Sequence, residues 1–245
     1  MKKTFNIILF TFLLTSPIYA QPSFSPEQAV REFHKRFEPL FLQENTTFNM
    51  EVEEEGYGLA WVWRTKNNSW VFISRDAFSE KFPFPTKDAL YGILCHEIAH
   101  LRSPYFQVYD VFGPDLPIAS EPESDYFSTY SCLREVFAKT PEDWSVNARF
   151  LEREKLKKEY EFLLDACEGD KVCVRSALSA YQGLQNARFY RLSSGRADQS
   201  QEISFLTPAD AADSLDYKSR PSDQCRLDTL LAGSLRRSRP SCWHP

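Results

Sequence analysis

The stretch at residues 87–103, KDALYGILCHEIAHLRS, constrains the fold of this chain more than any other. Thr86 suits an N-cap, Pro104 cannot continue a helix, and the spacing between them predicts a single helix. Cys95, Ile98 and Ala99 interleave with His96, Glu97 and His100, so this helix is expected to be buried rather than to lie on the surface. His96 and His100 stand four residues apart, which puts both imidazoles on one face. Glu97 lies about a third of a turn from His96, beside that face.

The rest of the chain bounds where such a helix would work. Residues 1–20, MKKTFNIILFTFLLTSPIYA, have two lysines, a short apolar run and a small residue at the end, the three-part layout of a secretory leader. The apolar run is shorter than the ~20 residues needed to cross a bilayer. Residue 21 is Gln, so no lipid-anchoring cysteine follows the expected cut, and no later stretch reads as a membrane helix. The expected location is therefore outside the cytoplasm, periplasmic or secreted. Removing the two lysines of residues 1–20, which hold no acid, moves the net charge from −5 to −7. An acidic chain of this kind is not expected to bind nucleic acid.

Six cysteines follow the leader, an even count that reads as disulfides in an exported protein. In CEGDKVC the five residues between Cys167 and Cys173 permit a tight loop, and this pair is the one the spacing predicts. The other four cysteines carry no readable pairing. No CxxC or Cys/His spacing suggests that they bind metal.

Along the chain, Ser25, Pro26 and Gln28 predict a helix start, with Val30, Phe33, Phe37 and Leu40 on its apolar face. GLAWVWRT and SWVFISRD, separated by Lys66, Asn67 and Asn68, predict an antiparallel hairpin. Residues 104–118 read as loop. A helix is expected over EPESDYFSTYSCLREVFAK, then from Thr140 to about Ala166, and again after the cysteine loop to about Leu192. From Ser193 to Asp216 the composition reads as a polar linker. From Pro221 onward the chain reads as a tail tied down by a disulfide rather than by a core of its own.

Two neutral imidazoles at a fixed separation are what a tetrahedral zinc takes from a rigid element, and Glu97 stands where it can accept a proton from water. Catalytic zinc needs a third protein ligand. No histidine follows until His244, so a carboxylate is expected, and EPESD offers Glu121 and Asp125 on one helix face. One of these can bind metal while the other holds the far nitrogen of a zinc histidine. Glu123 points to another side. Tyr126, Arg226 and His244 are candidates to stabilise an oxyanion. Cys95, next to His96, is expected to be a small buried side chain or a disulfide partner.

HEIAH followed by EPESD resembles the gluzincin zinc metallopeptidases, whose pattern is HExxH and then ExxxD on a second helix. The closer likeness is to soluble exported relatives of the CAAX prenyl endopeptidases, over residues 86–135. The resemblance implies His96, His100 and Glu121 as ligands of one zinc ion per chain, Glu97 as general base and Asp125 as a supporting residue. It also implies a strand before HEIAH that pairs with extended substrate. The membrane helices of the prenyl endopeptidases are absent, so prenyl-protein processing is not expected.

The sequence thus predicts an α+β, mostly helical protein. A zincin-like core at 21–140 would carry a short antiparallel sheet beside the HEIAH helix, and 141–245 would form a helical, disulfide-containing extension. The expected activity is hydrolysis of protein or peptide bonds. The rival expectation is a zinc-stabilised envelope protein that binds a partner and catalyses nothing.

Overall fold

The computed structural model describes residues 25–54, 58–103, 107–109, 117–139, 154–195, 202–210 and 221–243. The expected leader at 1–20, the division at 140/141, and His244 lie outside the described residues. The architecture is α+β and mostly helical.

Helix α1 (Pro26–Leu42) starts as its sequence predicts, with the Ser25 hydroxyl accepting the Gln28 amide. Phe33, Phe37 and Phe41 are its buried aromatics, and Leu40 is only partly buried. Strands β2 (Ala60–Arg64) and β3 (Asn68–Ser74) form the expected antiparallel hairpin, with Val62 opposite Val71 and Trp63 opposite Trp70. The sheet has a third strand that was not expected, β1 (Thr47–Glu53), and it runs parallel to β3. The order is β1-β3-β2, so the sheet is mixed rather than antiparallel. Parallel pairing joins strands that are not neighbours in the chain, so no turn between them announces it. Ser69, Val71 and Ile73 of β3 are buried on one face, while Trp61 stacks on Phe72 across the other.

Helix α2 (Lys87–Arg102) is the predicted HEIAH helix, capped by the Thr86 hydroxyl on the Ala89 amide. It is buried almost all round. The expected loop at 104–118 instead contains strands β4 (Gln107–Tyr109) and β5 (Pro117–Ala119), which pair antiparallel. The EPESD helix, α3 (Glu121–Phe127), passes through a π-helical turn (Ser128–Cys132) into α4 (Leu133–Ala138). Three further helices follow, α5 (Glu154–Ala166), α6 (Lys171–Ser193) and α7 (Asp223–Ser234).

Helix α6 lies against α2. A Cβ at Gly92 would overlap the Ser179 carbonyl, so the two backbones meet at a distance only glycine permits. Arg175 holds Asp88 through two 2.8 Å hydrogen bonds at one end of this contact.

Two expectations for the C-terminal portion need correction. In the expected linker, Ile203 and Phe205 are core residues. The buried Glu159 carboxylate of α5 fixes them by accepting the Ser204 hydroxyl at 2.5 Å and the Phe205 amide at 2.8 Å. The expected tail forms α7, whose Leu227 and Leu230 are buried in the same core. A polar composition hid both, because few apolar residues suffice once the surrounding polar groups find hydrogen-bond partners.

Three disulfides are present. Cys167–Cys173 is the predicted one, Cys95–Cys132 ties α2 to the π-helical turn, and Cys225–Cys242 ties α7 to the chain after it. Cys95 is thus both buried and a disulfide partner. Among the described residues no helix is long and apolar enough to cross a membrane.

Candidate metal centre

His96 and His100 project from one face of α2 with their Nε2 atoms 3.1 Å apart. Glu121, the first residue of α3, brings its carboxylate to 3.5 Å from His96 Nε2 and 3.8 Å from His100 Nε2. These three residues form a group that could hold a metal ion, one ligand atom from each lying within 4.8 Å of the others. Two ligands bound at ~2.1 Å in a tetrahedral site stand ~3.4 Å apart, so the nitrogens need little movement to share an ion.

Both imidazoles are held by their far nitrogens. His100 Nδ1 lies 2.7 Å from the Ala119 carbonyl and 2.8 Å from Ser124 Oγ, so its proton sits there and Nε2 keeps a lone pair for metal. The short ladder of β4 and β5 ends at Ala119 and so places that carbonyl. His96 Nδ1 lies 2.8 Å from Asp125 Oδ1. Asp125 in turn receives Arg226 of α7 through Nε at 2.7 Å and a terminal nitrogen at 2.8 Å, and the same guanidinium reaches Glu121 at 3.3 Å.

The charges follow from these contacts. Burial opposes protonation of His96, but the Asp125 and Glu121 carboxylates outweigh it and raise its pKa to about 9. Burial and the neighbouring His96 charge lower His100 to about 4. Burial likewise opposes ionisation of Asp125, yet Arg226 and His96 hold its carboxyl below the usual range. Burial works against the Arg226 charge too, and Asp125 more than compensates, raising its pKa. Without metal the pair is therefore one imidazolium and one neutral imidazole, joined through the 3.1 Å Nε2 contact.

Glu97 is 8% exposed, and it lines one cavity together with His96, His100, Glu121 and Asp125. This cavity has a volume of about 990 Å³. Consecutive residues 58–63, which include Ala60 to Trp63 of β2, also line it, so β2 turns a backbone edge rather than one of its faces toward the candidate metal centre. Among the described residues β2 is one of the two outer strands of the sheet.

Of the remaining sequence candidates, Tyr126 is turned away, its hydroxyl donating to the Arg237 carbonyl and its ring stacked on Tyr130. Glu123 points elsewhere, as expected, accepting the Ser103 hydroxyl and pairing with Arg239. Arg226 does reach the centre, engaged with Asp125 and Glu121. Ser124 and the Ala119 carbonyl were not anticipated. A zinc histidine needs an acceptor for its far nitrogen, and that rule could have pointed to the small polar residue inside EPESD.

Comparison with protein-family profiles, with curated protein sequences and with solved structures gives no significant match to this chain.

Proposed function

We propose that this protein is an exported zinc-dependent endopeptidase of gluzincin type, with His96, His100 and Glu121 as metal ligands and Glu97 as general base. The observation that carries the reading is that Glu97, the three-residue ligand group and the edge of β2 share one cavity. Zinc is the ion that two imidazoles and one carboxylate suit best, and when bound it supplies Lewis-acid activation of water and of the scissile carbonyl.

The chain's own residues do the rest. Glu97 accepts a proton from the attacking water and passes it to the leaving amine nitrogen as the C–N bond breaks. Asp125 and the Ala119 carbonyl keep both imidazoles in the tautomer that leaves Nε2 available. Arg226 keeps Asp125 ionised and steadies Glu121. The edge of β2 offers backbone donors and acceptors along which an extended polypeptide can lie. Export is supported by three disulfides, which persist in oxidising compartments, and by the leader expected at residues 1–20.

The test is digestion of an unfolded protein by zinc-loaded wild type beside Glu97→Gln. A fall of at least ~100-fold with zinc content retained is expected, as for loss of a positioned general base. Equal hydrolysis by both would sink the assignment of Glu97. Zinc binding with no hydrolysis by wild type would favour the rival, a zinc-stabilised binding protein.

A further inference from the structure

Three of the chain's five tryptophans stand on one side of the three-stranded sheet. Successive residues of a strand point to opposite faces, so Val62, Val71 and Ile73 face the core while Trp61, Trp63, Trp70 and Phe72 face away from it. The helices that pack on this sheet take the core face. There Phe48 of β1 stacks on Phe41 of α1, and Arg64 of β2 donates to the Leu101 carbonyl of α2 at 2.9 Å. The outward rings therefore do not serve that packing. They form two adjacent cross-strand pairs, Trp61 opposite Phe72 and Trp63 opposite Trp70. Trp63 is 45% exposed and the other three are partly exposed.

The same face is acidic. The register of β1 sets Glu51 level with Phe72 and Glu53 level with Ser74. Glu53 accepts the Trp61 indole N–H at 3.2 Å, so the carboxylates and the rings share one surface. Glu51 is exposed. None of the three strands places a lysine or arginine on this face. Arg64, their one basic residue, turns to α2, and Arg75, which follows β3, pairs with Glu27 and Glu54. Lys66 belongs to the turn between β2 and β3. An aromatic ring carries negative charge density on its face, so the rings and the carboxylates attract the same charge.

We propose that this outer face docks an arginine-bearing segment of a polypeptide partner. A guanidinium is planar and weakly hydrated, so it can lie on an indole while its edge donates to a carboxylate. Lysine offers a more strongly hydrated point charge and is the poorer fit. A neutral sugar could stack on the same rings, but it would make no use of the charge beside them. Strands stand ~4.8 Å apart, so the surface runs ~10 Å from β1 to β2, more than one side chain covers and suited to a run of polypeptide. Nothing in this docking uses the metal.

The test is fluorescence anisotropy of labelled, blocked heptapeptides that alternate Ser with Arg, Lys or Gln, at low salt. The Arg peptide should bind ~10-fold or more tighter than the Gln peptide, with the Lys peptide between them, and added salt should weaken it. Metal-free and zinc-loaded protein should bind it equally. Trp70→Thr and Glu51→Gln should each weaken it ~3–5-fold, the scale of one exposed cation–π contact or ion pair. Neither Trp70 nor Glu51 lines the cavity at the candidate metal centre, so a peptide held in that cavity would not respond to either change.

Equal binding of the Arg and Gln peptides, or an affinity that either variant leaves unchanged, would overturn the proposal. So would a tetrasaccharide of N-acetylglucosamine that binds through Trp70 while the Arg peptide does not, since the face would then be a carbohydrate platform. If Trp70→Thr fails to fold, Glu51→Lys decides the matter. It reverses the charge at an exposed position and should lower affinity for the Arg peptide by ~10-fold or more, while unchanged binding would overturn the proposal.

Discussion

Two helix contacts hold the candidate metal centre, and they bury different chemistry. Between α2 and α6 the backbones meet at Gly92, the surroundings are largely apolar, and the Asp88–Arg175 pair lies at the end of the contact. Between α3 and α7 the backbones also meet at a glycine, since a Cβ at Gly233 would overlap the Tyr126 carbonyl. There, however, the interior holds Asp125 and Arg226, whose side chains are 1% and 4% exposed. The first contact fixes where the imidazoles stand. The second fixes their charge state and the position of Glu121. One should therefore respond to changes in packing alone, and the other to any change in charge, including metal uptake.

The largest expected difference is between the two arginines. Arg226→Met takes the guanidinium from the buried Asp125, leaving it only His96, and should destabilise the protein by about 3–5 kcal/mol. It should also weaken zinc binding by ~10–100-fold, as loss of an outer partner of a ligand does. Arg175→Met should cost less, about 1–3 kcal/mol, because Asp88 sits in the first turn of α2 where the helix dipole favours a carboxylate. Its zinc affinity should match wild type. Urea unfolding and competitive zinc titration of both variants read the two effects. Comparable zinc loss in Arg175→Met would break the distinction.

Acidity should act on the second contact through His96. Its pKa is raised to about 9 in the metal-free protein, so the ionic stabilisation it provides there is fully present below the unfolded value of ~6.5 and is lost as pH rises through 9. Zinc must displace that proton, whereas His100, lowered to about 4, is already neutral. Zinc affinity should therefore rise ~10-fold per pH unit between pH 5 and 8 and level off above 9, with about one proton released per zinc at neutral pH. Calorimetry in buffers of different ionisation enthalpy measures that proton. A slope near zero would mean that His96 is neutral before metal arrives.

The glycines give the finest test. Gly92→Ala and Gly233→Ala should each cost about 1–3 kcal/mol through overpacking. Only Gly233→Ala should also lower zinc affinity, because moving α7 from α3 loosens Arg226 on Asp125. Thermal unfolding and zinc titration of this pair would show whether the two contacts are separable at all.

Much of this could be read locally. The caps at Ser25 and Thr86, the hairpin of β2 and β3, the one-face placement of His96 and His100 and the tight Cys167–Cys173 loop depend on residues within a few positions of each other. Steric and hydrogen-bonding preferences at that range are written in the residues themselves. The tertiary structure alone decided which distant groups became partners. It paired β1 with β3, joined Cys95 to Cys132 and Cys225 to Cys242, placed Ile203 in the core and closed Arg226 on Asp125 across 101 positions. A periodic pattern shows that a face will be buried but not what covers it, and a buried carboxylate calls for a cation without naming one. The sequence by itself therefore determined the helix that carries HEIAH, and the packing of α3 and α7 determined the charges and tautomers around it.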